Sequence, residues 1–202
     1  MMERIGEFLP FMLEGSVTTV QVFVLTLVIS LPLGLPIALG SNSRFKPLSF
    51  LCKIYVWIFR GTPLMLQLWF FYFFFPFNFG ITFDALTTAV LTYVLNYAAY
   101  FAEIYRGGIN SIDRGQYEAA HALGLSRKQT MFDIILPQTM KAILPPVVNE
   151  AITLVKDTAL VSSLAVIDLM KATNSAVNRM TSLTPFFYAA IIYLLMTFVL
   201  TL

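Results

Sequence analysis

Long stretches without any charged residue constrain this chain more than any other feature. Four segments contain no Asp, Glu, Lys or Arg, and they cover residues 15–43, 61–83, 85–102 and 180–202. A helix needs roughly 20 mainly apolar residues to cross a hydrocarbon core of about 30 Å. A strand of a membrane barrel would instead alternate polar and apolar residues over about ten positions. The continuous apolar character therefore predicts membrane-spanning helices.

The composition of the whole chain supports a membrane protein. Of the 202 residues, 58% are hydrophobic and 12% are charged, whereas about 25% of residues are charged in a typical soluble domain. A formal net charge of +2 provides no basic surface for binding nucleic acid. The single cysteine, Cys52, excludes a disulfide within the chain.

A fifth segment is long enough to span but carries Glu150, Lys156 and Asp157. Each central ion costs about 2.5–3.5 kcal/mol on insertion scales, so this segment should not face lipid. We expect it to be surrounded by other helices or to line a water-filled cavity, with charges that serve function. The fold class is therefore an all-α membrane protein with one transmembrane domain, residues 1–202. Its five predicted spans are 16–40, 51–76, 84–104, 142–167 and 183–202.

The distribution of basic residues predicts the orientation, because Lys and Arg accumulate on the cytoplasmic side. Nine cations lie on one side of this arrangement, and they are Arg44, Lys46, Lys53, Arg60, Arg106, Arg114, Arg127, Lys128 and Lys141. The other side holds Arg4, Lys171 and Arg179. The N-terminus is predicted outside, and the C-terminus and the long 105–141 connection in the cytoplasm. Since the sequence stops within an apolar run, we expect a few residues to follow it.

The cytoplasmic connection contains a short predicted helix. Residues 117–123 carry Glu118 in their first turn and are followed by Gly124, an acidic start and a glycine stop. Ala119 and Ala120 would let another backbone approach closely, so the helix could insert into a groove of a partner. A plain connecting helix is the alternative on this pattern alone.

A signature of fixed spacing extends from this helix. Glu118-Ala119-Ala120, Gly124, Ile134 and Leu136-Pro137 match the EAA signature of bacterial ATP-binding-cassette (ABC) importer permeases. Three further segments resemble the polar amino-acid uptake branch, and they are Arg-Gly-Thr-Pro at 60–63, Glu-Ile-Tyr-Arg-Gly-Gly-Ile at 103–109 and Lys-Asp-Thr-Ala-Leu at 156–160. From about Ser16 to its end the chain thus resembles the permease subunit of such an importer.

The resemblance implies a type I ABC importer permease in the bacterial cytoplasmic membrane. It implies pairing with a second permease subunit, identical or a paralogue, and delivery of the amino acid by an extracytoplasmic binding protein. It also implies two cytosolic ATPase subunits that bind ATP and Mg²⁺ and contact Glu118, Ala119, Ala120 and Gly124. The sequence agrees, because a phosphate-binding loop needs Gly-Lys-[Ser/Thr] and none of its six lysines follows a glycine. We therefore expect no enzyme activity and no cofactor in this chain, and no metal at the lone His121.

Two helix faces are candidate walls of the transport pathway. Residues three or four apart share a helix face, and the predicted substrate-binding residues are Glu150, Thr153 and Asp157 on the fourth span and Asn96, Tyr100 and Glu103 on the third. Three carboxylates against Lys156 leave two excess negative charges. This excess favours arginine, lysine or histidine as substrate. Alternatively, Glu103 pairs with Arg106 one turn away, and Lys156 and Asp157 pair with neighbouring helices.

Two other classes of protein compete with an ATP-driven importer. A gradient-driven secondary transporter could use Glu150 and Asp157 to carry protons, although five spans without an inverted repeat make a small chain for one. A membrane-embedded enzyme is disfavoured, because neither His-Glu-x-x-His nor Gly-x-Ser-x-Gly occurs. Dependence on a cytosolic ATPase would separate the first two classes.

Overall fold

The computed structural model describes residues 2–201, apart from the side chains of residues 2–5 and 7. Over this range the chain is helical, with a short π-helical segment, Thr130–Ile135, and a 3-10 helix, Thr158–Leu164. The α-helices are α1 (Met2–Ser41), α2 (Lys46–Gly61), α3 (Leu64–Phe79), α4 (Ala85–Asn110), α5 (Arg114–Ala122), α6 (Arg127–Gln129), α7 (Leu136–Asp157), α8 (Leu169–Met180) and α9 (Thr184–Thr201). The all-helical class predicted from the sequence is confirmed for this part of the chain.

Among the described residues, three helices are long and apolar enough to cross a membrane, namely residues 8–41 of α1, together with α4 and α9. Helices α2 and α3 pass the same test only as a pair, and they are bent by 108° at the break between them. Pro63 follows Thr62 at this break, and proline removes a backbone N–H donor and disfavours helix at the residue before it. This described part of the chain therefore has three candidate spans, or four if the bent pair counts as one. The break falls inside the predicted 51–76 span.

The segment predicted to span at 142–167 is not one continuous α-helix. Helix α7 ends at Asp157 and tightens directly into the 3-10 helix. It is not among the candidate spans, because its apolar residues are diluted by Lys141, Glu150 and Lys156 as well as by Asp157. Composition alone therefore does not place α7 in a bilayer.

The chain folds into two compact units. The first comprises Met1–Ile29, Thr62–Asn96 and Ala151–Leu202. Its core includes Met12, Leu169 and Ala189, which are buried together. At Gly15 the backbone of α1 comes so close to the start of α8 that a Cβ atom would lie 2.6 Å from the carbonyl oxygen of Asp168. Only glycine fits this contact without displacing one of the two helices.

The second unit comprises Ser30–Gly61 and Tyr97–Glu150. The C-terminal parts of α1 and α4 pack together with α2 through Ala38, Val56, Ala99 and Ala102. Small side chains at these positions let the helices approach closely, as is common between helices in membranes. The unit also contains α5, the predicted partner-binding helix.

Candidate substrate pathway and coupling helix

A charged network joins α2 and α4 within the second unit. The carboxylate of Glu103 accepts a hydrogen bond from Nε of Arg106 at 2.9 Å and a second one from the Nη2 atom of the same guanidinium. Nη1 of Arg60 lies 3.9 Å from Oε1 of Glu103. The guanidinium carbon of Arg60 lies 5.3 Å from the ring centroid of Tyr100, a cation–π distance. Glu103 therefore forms the ion pair with Arg106 that the sequence left open as an alternative.

This network borders an open cavity of about 610 Å³. Its polar and aromatic lining includes Lys53, Trp57, Arg60, Tyr100, Glu103 and Arg106. Three cations face one carboxylate, so the cavity carries an excess of positive charge. The residue count that predicted an acidic pathway covered only ions within the third and fourth spans, so it did not include Lys53 and Arg60. The signal that could have found them is the spacing of 53, 57 and 60, which puts them on one face of α2.

Asn96 belongs to a hydrogen-bonded chain of the first unit. Its Nδ2 atom donates to Oε1 of Gln67 at 2.9 Å, and Nε2 of Gln67 donates to Oγ1 of Thr62 at 2.7 Å. Both amide side chains are buried. The chain of bonds joins the middle of α4 to the first turn of α3 beside the bend. Sequence reasoning selected Asn96 but not Gln67, which is one uncharged residue within an apolar run.

The acidic residues of α7 divide between the two units. Glu150 ends the second unit, whereas Thr153 and Asp157 belong to the first, and all three side chains are half-buried. The hydroxyl of Tyr93 donates a hydrogen bond to the main-chain carbonyl of Asp157. Asp157 therefore lies where α7 tightens into the 3-10 helix and contacts α4.

Asp168 is a second buried carboxylate of the first unit. It precedes α8, where its Oδ1 atom accepts a hydrogen bond from the backbone N–H of Lys171 at 2.8 Å. Its Oδ2 atom is buried and has no hydrogen-bond partner among the described residues. Burial raises the pKa of this carboxyl to about 6, against the opposing effect of the backbone N–H groups. By contrast, the exposed Asp84 has a lowered pKa, because it accepts a hydrogen bond from the hydroxyl of Thr87.

Helix α5 lies where the sequence predicted a short cytoplasmic helix, with different bounds. It begins at Arg114, and its N-cap is Asp113, whose side chain accepts a hydrogen bond from the backbone N–H of Gly115. The prediction that Glu118 lies in the first turn is therefore wrong, because the helix starts three residues earlier than 117. Glu118 and Ala119 are exposed, and Ala120 is buried.

The end of α5 requires glycine. Gly124 has a φ of +74°, its N–H donates to the carbonyl of His121 at 3.0 Å, and the N–H of Leu125 donates to the carbonyl of Ala120 at 3.0 Å. This is the Schellman pattern, in which a left-handed residue ends the helix. The glycine stop predicted from the sequence is confirmed at Gly124.

Helix α5 is joined to α7 by contacts as well as by the chain. It packs against the π-helical segment, and Nε2 of Gln138 donates to Oε1 of Gln116 at 3.2 Å. The π-helical segment runs directly into α7, so Ile134 and Leu136-Pro137 of the signature lie in the structure that supports α5. A displacement of α5 would thus act on the start of α7.

Comparisons with known proteins agree with this architecture. Residues 30–202 match the family described as "Binding-protein-dependent transport system inner membrane component". The arginine transport system permease protein ArtQ of Bacillus subtilis (strain 168) is 41% identical over 194 residues, which cover 96% of this chain and 89% of that protein. The L-cystine transport system permease protein TcyB of the same strain is 36% identical over 197 residues, covering 96% and 84% respectively.

A solved structure shares the fold. It is described as "Crystal structure of an amino acid ABC transporter with histidines", and it matches with a TM-score of 0.90 and 34% identity over 98% of this chain and 92% of that one. Together, the family match, the relatives and this structure establish the polar amino-acid importer branch and an inner-membrane, multi-pass location. The chain belongs to the family of inner-membrane components of binding-protein-dependent transport systems, and it is the permease subunit of an amino-acid ABC importer.

Proposed function

We propose that this permease forms the translocation pathway for a basic amino acid, with arginine, lysine or histidine as substrate. The observation that carries the proposal is the half-burial of Glu150 and Asp157 on α7. Carboxylates at membrane depth are costly and commonly mark a substrate path. Because Glu103 of α4 pairs with Arg106, we assign recognition of the substrate's amino groups to Glu150 and Asp157. Thr153 lies between these two acids on α7. The relative ArtQ is named for arginine, which supports a basic substrate. The relative TcyB is named for cystine, so membership of the family does not by itself identify the substrate.

Uptake by a Glu150→Gln variant tests this proposal. The complete complex, with its ATPase and binding protein, would be reconstituted in vesicles and supplied with labelled arginine. Loss of a half-buried carboxylate that pairs with an amino group of the substrate should lower uptake about tenfold or more. Glu14→Gln is the matched control, because Glu14 is an exposed acid outside both candidate walls. Unchanged uptake in the Glu150→Gln variant would contradict the proposed role.

We also propose the membrane arrangement of a type I importer. It has five spans in one domain, an outer N-terminus and a cytoplasmic C-terminus. In this arrangement α7 and the 3-10 helix together form a span enclosed by other helices, and α2 with α3 form a bent one. Support comes from the cations at the cytoplasmic end, from Lys46 on α2 to Lys141 on α7. Cysteine-accessibility labelling at Ser43 and Ser182, which lie in predicted loops on opposite sides, would test the orientation.

We propose three kinds of protein partner for this permease. Two cytosolic ATPase subunits would bind ATP and Mg²⁺, a second permease subunit would complete the pathway, and a binding protein would deliver the amino acid from outside. Helix α5 is the proposed contact with the ATPase, through Glu118, Ala119, Ala120 and Gly124. Its exposure and its contact with the segment preceding α7 suit it to pass a rigid-body motion into the membrane helices.

A further inference from the structure

The positively charged cavity of the second unit has an arrangement that suits binding of an anion. Lys53, Arg60 and Arg106 contribute three positive charges and Glu103 one negative charge. Glu103 is held by Arg106 through two hydrogen bonds. The carboxylate is therefore largely satisfied by one of the three cations, and the remaining positive charge comes from Lys53 and Arg60.

Arg60 is positioned by an ion pair and by a contact with an aromatic ring. Its ion pair with Glu103 spans 3.9 Å, which is longer than a hydrogen bond. The ring of Tyr100 contacts the guanidinium through a cation–π interaction, which uses no N–H group. A guanidinium has five N–H donors in a rigid plane that matches a carboxylate with two parallel bonds. About 41% of the Arg60 side chain is exposed, so a ligand in the cavity can reach it.

The cavity lies towards the cytoplasmic end of the predicted 84–104 span. Tyr100 lies four residues before the end of that span, which is roughly 6 Å along a helix, and Arg106 lies just beyond it. Because the cavity is open, a small ion that enters with water can reach Arg60. The experiment below separates such an ion from the phosphate of a lipid headgroup.

We propose that this cavity binds the α-carboxylate of the transported amino acid, with Arg60 as the direct ligand and Lys53 and Arg106 as sources of positive potential. The inference rests on the proposed transport function and extends it to a second recognition element. A free amino acid carries an ammonium and a carboxylate whatever its side chain. Glu150, which belongs to the same unit as the cavity, suits an amino group, and the cationic cavity suits the carboxylate that an acidic side chain would repel.

A comparison of arginine with argininamide at about pH 6 tests the proposal, because the amide lacks the carboxylate charge and its α-amino group stays protonated below its pKa of roughly 7.7–8.0. Affinity would be measured on the permease–ATPase complex in phosphatidylcholine nanodiscs without the binding protein. We expect arginine to bind about tenfold or more tightly than the amide, and the Arg60→Gln variant to lose this preference. Arg44→Gln is the matched control, because Arg44 is exposed and lies outside the cavity lining. If Arg60→Gln does not assemble, Lys53→Gln should reduce the preference.

Two outcomes would overturn the proposal. If Arg60 serves only to neutralise Glu103, the double variant Arg60→Gln/Glu103→Gln should regain the preference for arginine over the amide, whereas the proposal predicts that it stays lost. If the cavity holds lipid phosphate, arginine and its amide should bind equally to the wild-type complex, and retained phosphatidylglycerol should depend on Arg60.

The same preparation separates this inference from the proposed function. A complex that imports arginine with ATP but does not distinguish arginine from its amide contradicts only the carboxylate site. If the complex imports another amino acid, the proposed substrate is wrong, and the comparison of that acid with its own amide decides on the cavity.

Discussion

Helix α5 and the charged network around Glu103 lie in the same compact unit, but they are held in different ways. The bonds that begin and end α5 join residues no more than five positions apart, and most of its side chains are exposed. In the network, Arg60 contacts Tyr100 and Glu103, which lie about forty positions away in the chain. The side chain of Glu103 is about two-thirds buried. A change in an exposed side chain of α5 should therefore alter partner binding and leave the fold intact, whereas a change in the network should alter both stability and the pathway.

The largest effect is expected for Gly124→Leu. Leucine at a φ of +74° is strained, by roughly 1–2 kcal/mol, and its side chain would project from the proposed ATPase contact. Copurification of the ATPase and ATP-dependent uptake should each fall at least tenfold. Gly107→Leu is the control, because a Cβ atom at Gly107 would meet open space and the residue lies outside α5. Full copurification with Gly124→Leu would show that α5 is not the contact.

Much of α5 could be predicted from the sequence, because its determinants are local. The small residues, the glycine stop and the fixed spacing to Leu136-Pro137 are all visible in one segment. The start of the helix is the part that sequence reasoning placed wrongly, since Glu118 resembles an acidic first turn whereas the actual N-cap is Asp113.

The charged cavity could not be predicted in the same way. Its charged residues come from α2 and α4, which are separated in the chain by α3, and the sequence alone relates Arg60 only to the membrane interface. The bend after Gly61 also escaped prediction, although Pro63 gave a signal, because the apolar composition continues through it. The net charge of a cavity depends on which charged side chains line it and which of them form ion pairs. Ion pairs between helices depend on the tertiary fold, so a count of charges in the sequence does not give this net charge.

A smaller effect is expected at Asp168, the buried carboxylate at the start of α8. Its pKa of about 6 lies above the ordinary value of 3.8, so the folded state prefers the protonated form. This contribution to stability is fully present below pH 3.8 and is lost as the pH rises through 6. Relative to Asp168→Asn, the wild-type free energy of unfolding should fall by about 2 kcal/mol between pH 4 and pH 7.

Thermal unfolding of the complex in detergent at several pH values measures this difference. The control is Asp84→Asn, which removes an exposed carboxylate whose pKa is lowered and whose pH dependence has the opposite sign. Parallel curves for the wild type and Asp168→Asn would contradict the burial of an unpartnered carboxylate oxygen.

The smallest effect is expected for Glu103→Gln. The amide keeps the shape but removes the counter-charge of Arg106 and Arg60. Because the side chains are about one-third exposed, solvent screening limits the loss to about 1 kcal/mol. Glu118→Gln on α5 should change the free energy of unfolding by less than about 0.5 kcal/mol. Chemical unfolding measures both free energies. If Glu103→Gln and Glu118→Gln lowered the free energy of unfolding equally, the charged network would not stabilise the fold more than α5 does.

Uptake of arginine by reconstituted vesicles, with and without the ATPase subunits, tests the central claim most directly. The chain is proposed to provide the path, and its partners to provide the energy. We predict arginine accumulation only when the ATPase, ATP and the binding protein are all present, and none by the purified chain under a proton or sodium gradient. Gradient-driven accumulation by the chain alone would contradict this account and support a secondary transporter.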